Sequence, residues 1–168
     1  MIRIVRCVIA CALLSSAAVV PAFAEQSCKP VTGHFEAVQI PEGQGHCPAV
    51  PDVDVFCTAG RVWGGIQGNY QFVITAGTPA AALGGTPTVL FFTGKSTIFL
   101  QSGDQVVGTD TGSIDLPPGI GGFASLITFD SGTGEMTGAS GQIRLRGEFS
   151  AVAGTTSGDY VGTLCTPN

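Results

Sequence analysis

Apolar and polar residues alternate along most of this chain with a period of two. From Gly65 to Ala76, the residues Ile66, Gly68, Tyr70, Phe72 and Ile74 share one face. From Gln142 to Phe149, Ile143, Leu145 and Phe149 oppose Arg144, Arg146 and Glu148. Successive side chains of a strand point to opposite faces, so this period predicts strands with one buried and one solvated side. Helix signals are nearly absent. Eight strands are predicted: roughly His34 to Ile40, Val53 to Val62, Gly65 to Ala76, Thr88 to Gln101, Gln105 to Asp115, Phe123 to Phe129, Gln142 to Phe149 and Thr156 to Cys165. The fourth is apolar on both faces, at Leu90, Phe91, Phe92, Ile98 and Phe99.

The links between these strands read as turns. Ser102-Gly103-Asp104 is a tight hairpin, Pro117-Pro118-Gly119 joins the fifth strand to the sixth, and Ala151 to Gly154 joins the seventh to the eighth. Glycines punctuate Asp130 to Phe149 where a hairpin must turn or a strand must bend. Two looser segments, Pro41 to Asp52 and Gly77 to Pro87, have the Gly, Pro and Ala content of loops that rim binding sites. Short links favour up-and-down antiparallel order, and closing such a sheet removes its edges. The expected fold is therefore all-β, an eight-stranded antiparallel up-and-down barrel. The 25 glycines are about twice the usual share, which fits strong curvature.

The N-terminus stands apart from this pattern. Arg3 and Arg6 precede an apolar stretch from Val8 to Val20, and Ala22-Phe23-Ala24 is a small-x-small cleavage site. Residues 1–24 are predicted to be a secretory signal peptide, with residues 25–168 forming one domain. A rival reading takes Val8-Ile9-Ala10-Cys11 as a lipobox with Cys11 as the lipid anchor. No later apolar run is long enough for a membrane helix. The expected location is secreted or periplasmic.

Charge and cysteine usage sharpen that picture. Cleavage would remove two basic residues and no acid, taking the net charge from −5 to −7. An acidic surface repels phosphate backbones, so nucleic acid is an unexpected partner. Four cysteines remain after cleavage: Cys28, Cys47, Cys57 and Cys165. An even number in an exported chain predicts two disulfides, with three connectivities open. No C-x-x-C pair is present, and no metal site is predicted.

Candidate chemistry is sparse. Gly94-Lys95-Ser96 ends like a phosphate-binding loop, but Val89 stands where its first glycine belongs and a strand surrounds it. Gly132-Thr133-Gly134 lacks the spacing of a dinucleotide fingerprint, and no G-x-S-x-G occurs. No cofactor is implied. The histidines are His34 and His46, too few for a three-histidine zinc site, although His46 with carboxylates stays open. His34 and Glu36 share a strand face, so the pair suits acid–base work in an apolar cavity or, in the plainer reading, sits on an exposed face. Arg144 and Arg146 either line a polar lumen or face solvent. Tyr70, Phe72, Phe92 and Tyr160 are the candidate lining of a ligand pocket, the two tyrosines as its polar handles.

The run from Gly132 to Leu145 resembles the allene oxide cyclase barrel family and its relatives, the dirigent proteins. Gly132, Gly134, Gly138, Ala139, Gly141, Gln142 and Leu145 fill a G-x-G-x-x-x-G-A-x-G-Q-x-x-L pattern. The stretch Gly103 to Asp115 and the strand Ser125 to Thr128 resemble the family's preceding barrel strands, and Ser157 to Cys165 looks like the last strand of secreted bacterial members. The resemblance implies an apolar cavity, a possible homotrimer, and a small hydrophobic or phenolic ligand held in a dirigent-like, non-catalytic way. Its alternative is a cofactor-free isomerase or cyclase, with Glu36 in the place of the cyclases' first-strand glutamate and Val38 where their asparagine would stand. A third alternative is an inert structural domain. In up-and-down order the first strand starts where the eighth ends, and it ends where the second begins. That order predicts Cys28–Cys165 and Cys47–Cys57.

Overall fold

Inward apolar and outward polar residues alternate around eight strands that close on themselves. The computed structural model describes residues 26–52 and 54–168. The expected signal peptide lies outside the described residues. The strands are β1 (Gln26–Ile40), β2 (Cys57–Gly64), β3 (Gly68–Pro79), β4 (Val89–Leu100), β5 (Gln105–Asp115), β6 (Gly122–Gly132), β7 (Ser140–Ser150) and β8 (Thr155–Pro167). Each is antiparallel to the next, and β1 also pairs with β8, so the order β1 to β8 closes a barrel without a crossover. Two short 3-10 turns, Ala80–Leu83 and Gly134–Met136, interrupt the loops.

The largest departure from the sequence reading is at β1, which begins at Gln26 rather than near His34. Pro30 and Gly33 read as strand breakers. In the barrel Pro30 pairs opposite Thr163, and Gly33 opposite both Tyr160 and Gly64. Gly33 is required by a close approach. A Cβ there would lie 2.7 Å from the Tyr160 ring, so the missing side chain makes room for the aromatic.

Both predicted disulfides are present. Cys28 and Cys165 sit directly opposite in the β1–β8 pair and are bonded. Cys47–Cys57 ties the β1–β2 loop to the start of β2. His46 adds to that tether, with Nε2 3.2 Å from the Phe72 carbonyl oxygen.

The two ends of the barrel differ. Val31, Val62, Ile66, Ile98, Val106, Phe129 and Ile143 are buried and pack the end where β1 starts and β8 finishes. The Tyr160 hydroxyl closes that end. It accepts the Ile66 N–H at 2.8 Å and donates to the Ile66 carbonyl at 3.1 Å. Each fully buried large apolar side chain stabilises the fold by roughly 1.5–3 kcal/mol. At the other end, four loops surround a mouth: 41–56, 80–88, 116–121 and 151–154. Among the described residues, no helix is long and apolar enough to cross a membrane.

Candidate functional site

The mouth-side half of the lumen is not filled. A cavity of about 160 Å³ remains there, walled by Phe35, Phe56, Phe72, Phe92, Phe123 and Phe149 with Ile74, Leu90, Ile114 and Leu145. The rings meet edge to face: Phe72 and Phe92 at 5.4 Å, Phe35 and Phe123 at 5.5 Å, Phe56 and Phe149 at 5.9 Å. That geometry sets positive ring edges against negative faces and holds the wall in place. An apolar cavity of about 150 Å³ accepts one benzene-sized ring, so this one has room for a single ring.

The floor of the cavity is polar. Asp110, on β5, is 2% exposed, and Ser96 of β4 is fully buried beside it. Ser96 donates to Asp110 Oδ2 at 2.8 Å. The Tyr70 hydroxyl of β3 lies 3.1 Å from Ser96 Oγ and 3.4 Å from the same carboxylate oxygen. Register explains the meeting: Ser96 pairs opposite Phe72 and Gly108, so the inward residues Tyr70, Ser96 and Asp110 fall on adjacent strands at similar depth.

Two polar atoms at this floor lack partners. Asp110 Oδ1 and Ser125 Oγ are both buried and make no hydrogen bond. The Ser125 hydroxyl, on β6, is close enough to the carboxyl to favour its charged form, yet it makes no hydrogen bond there. Burial raises the Asp110 carboxyl above the usual carboxylate range, and the Ser96, Ser125 and Tyr70 hydroxyls oppose that rise. Burial, then the neighbouring Asp110 charge, pushes the Tyr70 phenol well above its ordinary value, so it stays a neutral donor. A buried polar atom left unpartnered costs free energy comparable to a lost hydrogen bond. Oδ1 and Oγ together thus form a ready acceptor and donor facing an apolar cavity.

The residues singled out from sequence fall in different places. Tyr70, Phe72 and Phe92 line the cavity. Tyr160 is buried in the packed half, its hydroxyl taken up by the Ile66 backbone. Glu36 is exposed on the outer face of β1, in register with Arg61 of β2, where no apolar cavity acts on it. His34 shares that outer face and pairs with Asp159 at 2.5 Å, both side chains being exposed. Arg144 and Arg146 are exposed on the outside of β7, so they do not line the lumen. Asp110, Ser96 and Ser125 are the residues that sequence reasoning missed. A signal was present in β5: Val106, Gly108, Asp110, Gly112 and Ile114 share the inward face, a carboxyl between two glycines on an otherwise apolar stripe.

No protein-family model matches this chain. No curated protein matches it either. Among solved structures, that of the pterocarpan synthase dirigent protein GePTS1 is similar, with a TM-score of 0.51 and 13% identity over 92% of this chain and 98% of that chain. At that identity the likeness shows a shared barrel fold.

Proposed function

We propose that this chain is an exported, dirigent-like barrel that holds one small apolar or phenolic molecule in the mouth-side half of its lumen. The observation that carries the reading is a one-ring apolar cavity whose floor presents the unpartnered Asp110 Oδ1 and Ser125 Oγ. A phenol placed hydroxyl-inward would donate its O–H to Oδ1 and accept from Oγ, while the phenylalanine wall buries the ring. Both orphan atoms would gain partners, and the wall would exclude water from them. The shared fold with a protein described as a pterocarpan synthase dirigent protein supports a role in steering such molecules. The two disulfides support export, since bridges persist in oxidising compartments. Association into trimers belongs to the same proposal and is read by sedimentation.

Asp110 favours a second reading, a cofactor-free isomerase or cyclase. Burial makes the Asp110 carboxyl hold its proton more tightly than an exposed carboxylate does, which suits it to proton transfer, and a dry cavity holds the reacting atoms beside it. In this reading the lumen's Asp110 takes the acid–base role, and Glu36 on the outer face is the competing candidate.

The test is a thermal-shift series with matched ring compounds, one member of each pair carrying a phenolic hydroxyl. Binding at a hundredfold excess over Kd should stabilise the fold by about 2.7 kcal/mol. The hydroxylated member should bind better, and Asp110→Asn or Ser125→Ala should narrow the gap. Glu36→Gln should leave it unchanged. Absence of any stabilising ring compound would sink the reading. An effect of Glu36→Gln alone would move the site to the outer face.

A further inference from the structure

The loops around the mouth carry an unusual set of exposed side chains. Ile120 and Val152 are each 97% exposed, Leu83 69% and Val50 40%. They come from the four different mouth loops, which follow one another around the closed barrel. The opposite end has no such ring. Its connections keep Ile66 buried and Met136 packed on the core, and among the described residues they expose no large apolar side chain. Trp63, 41% exposed, lies near that end but within β2 rather than on a connection. Water alone gives no reason to put apolar tips on all four loops of one rim and on no connection of the other.

The backbone beside these tips is held internally. The Val50 N–H donates to Glu42 Oε1 at 3.0 Å, and the Ile120 N–H donates to Asp115 Oδ2 at 2.8 Å. Next to Val152, the Ala153 N–H donates to Ser150 Oγ at 3.2 Å. After Leu83, Gly84 takes a left-handed φ of 76° and caps the turn, its N–H reaching the Ala81 carbonyl. Contact with hydrocarbon demands such pairing, because no water is there to satisfy a free N–H. The tips are therefore fixed in place and need little ordering on contact.

From these two observations we infer that the mouth seats on an uncharged lipid surface, the four apolar tips entering it and the cavity opening toward it. The inference rests on the reading that the lumen takes an apolar molecule. Such a molecule partitions into lipid, and a mouth seated there receives it without a passage through water. Charge selects the kind of surface. The four loops contain Glu42, Asp52 and Asp54 and no Lys or Arg, so anionic lipid repels this rim. The same acids disfavour a second copy docked mouth to mouth, with like charges brought together.

The experiment is co-flotation of the mature protein with phosphatidylcholine vesicles, with and without added phosphatidylglycerol. Wild type should float with the neutral vesicles and less with the anionic ones. The triple variant Leu83→Ser, Ile120→Ser, Val152→Ser removes exposed side chains only, and an unchanged melting temperature confirms its fold. Its vesicle binding should fall by about tenfold or more, as expected for losing three inserted apolar side chains. A reporter, Ile120→Trp, should show blue-shifted emission with vesicles, while Trp63 at the opposite end of wild type should not shift. Failure of wild type to float, equal flotation of the triple variant, or a shift at Trp63 would each overturn the inference. A wild-type dimer that the triple variant dissociates, with no flotation by either, would assign the tips to a second copy instead. Ring-compound stabilisation measured without vesicles is a separate readout. If it persists while flotation fails, only the lipid inference falls.

Discussion

Ser96 donates to one oxygen of Asp110 at 2.8 Å and leaves the other, Oδ1, buried without a partner. The carboxyl is therefore held in place but not fully compensated. Its pH dependence follows. In the unfolded chain Asp110 titrates in the ordinary carboxylate range, whereas burial raises it in the barrel. The folded form then binds the proton more tightly, so stability falls as pH rises from the ordinary carboxylate range through the raised one. Asp110→Asn removes this contribution. The melting temperature of the variant relative to wild type should rise with pH across that window and level off above it. A flat difference from acid to neutral pH would contradict the buried titration.

Much of this architecture was legible because a half-buried strand writes its period into the sequence. The boundaries of β4 and β5 came within a residue or so, since the turns Ser102-Gly103-Asp104 and Pro117-Pro118-Gly119 bracket them. The start of β1 did not, because Pro30 and Gly33 are breakers by local propensity and are tolerated here only through pairing with β8. The wall was legible for a similar reason: Tyr70 and Phe72 sit on an evident apolar face. Its floor was not. Asp110 looks like a solvated strand residue, and only the register of β3, β4 and β5 turns it toward Ser96 and Tyr70. Glu36 shows the converse. Spacing put it on one face with His34, but only Phe35 and Ala37, buried at 2% and 3% exposure, reveal that the other face is the inner one.

The two disulfides should contribute unequally. Cys28–Cys165 spans a sequence separation of 137 and Cys47–Cys57 one of 10. In the loop-entropy model the first restrains the unfolded chain by about 5 kcal/mol and the second by about 3 kcal/mol. Urea unfolding of Cys28→Ser/Cys165→Ser and of Cys47→Ser/Cys57→Ser should show the larger loss in the former. The reverse order would mean that the 41–56 loop, rather than the seam of the barrel, limits stability.

Gly33 and Tyr160 meet closely in the packed half. Gly33→Ala pushes a methyl group against the Tyr160 ring and the Trp63 backbone. Overpacking of this kind costs about 1–3 kcal/mol. Tyr160→Phe tests the same region from the other side. It leaves the ring in place but strips the Ile66 N–H of its acceptor, a loss of about 1–3 kcal/mol for a buried donor left unpaired. Denaturation midpoints of the two variants check both, and neither should alter ring-compound binding, since Tyr160 lies outside the cavity.

Phe92 controls the size of the cavity rather than its polarity. Its ring packs edge-on against Phe72 and forms part of the cavity wall. Phe92→Ala removes about one ring's volume from the wall, at a cost near or below the about 3–5 kcal/mol typical of a fully buried Phe→Ala change, because Phe92 is only half-buried. The enlarged cavity should admit two-ring compounds that wild type excludes, while the Asp110 and Ser125 floor keeps its preference for a hydroxyl. Thermal-shift measurements on one-ring and two-ring pairs separate the two effects. A variant that loses the hydroxyl preference would show that Phe92 also orients the floor. One that gains no two-ring binding would show that the wall collapses into the space, as packed side chains do where the backbone around them can follow.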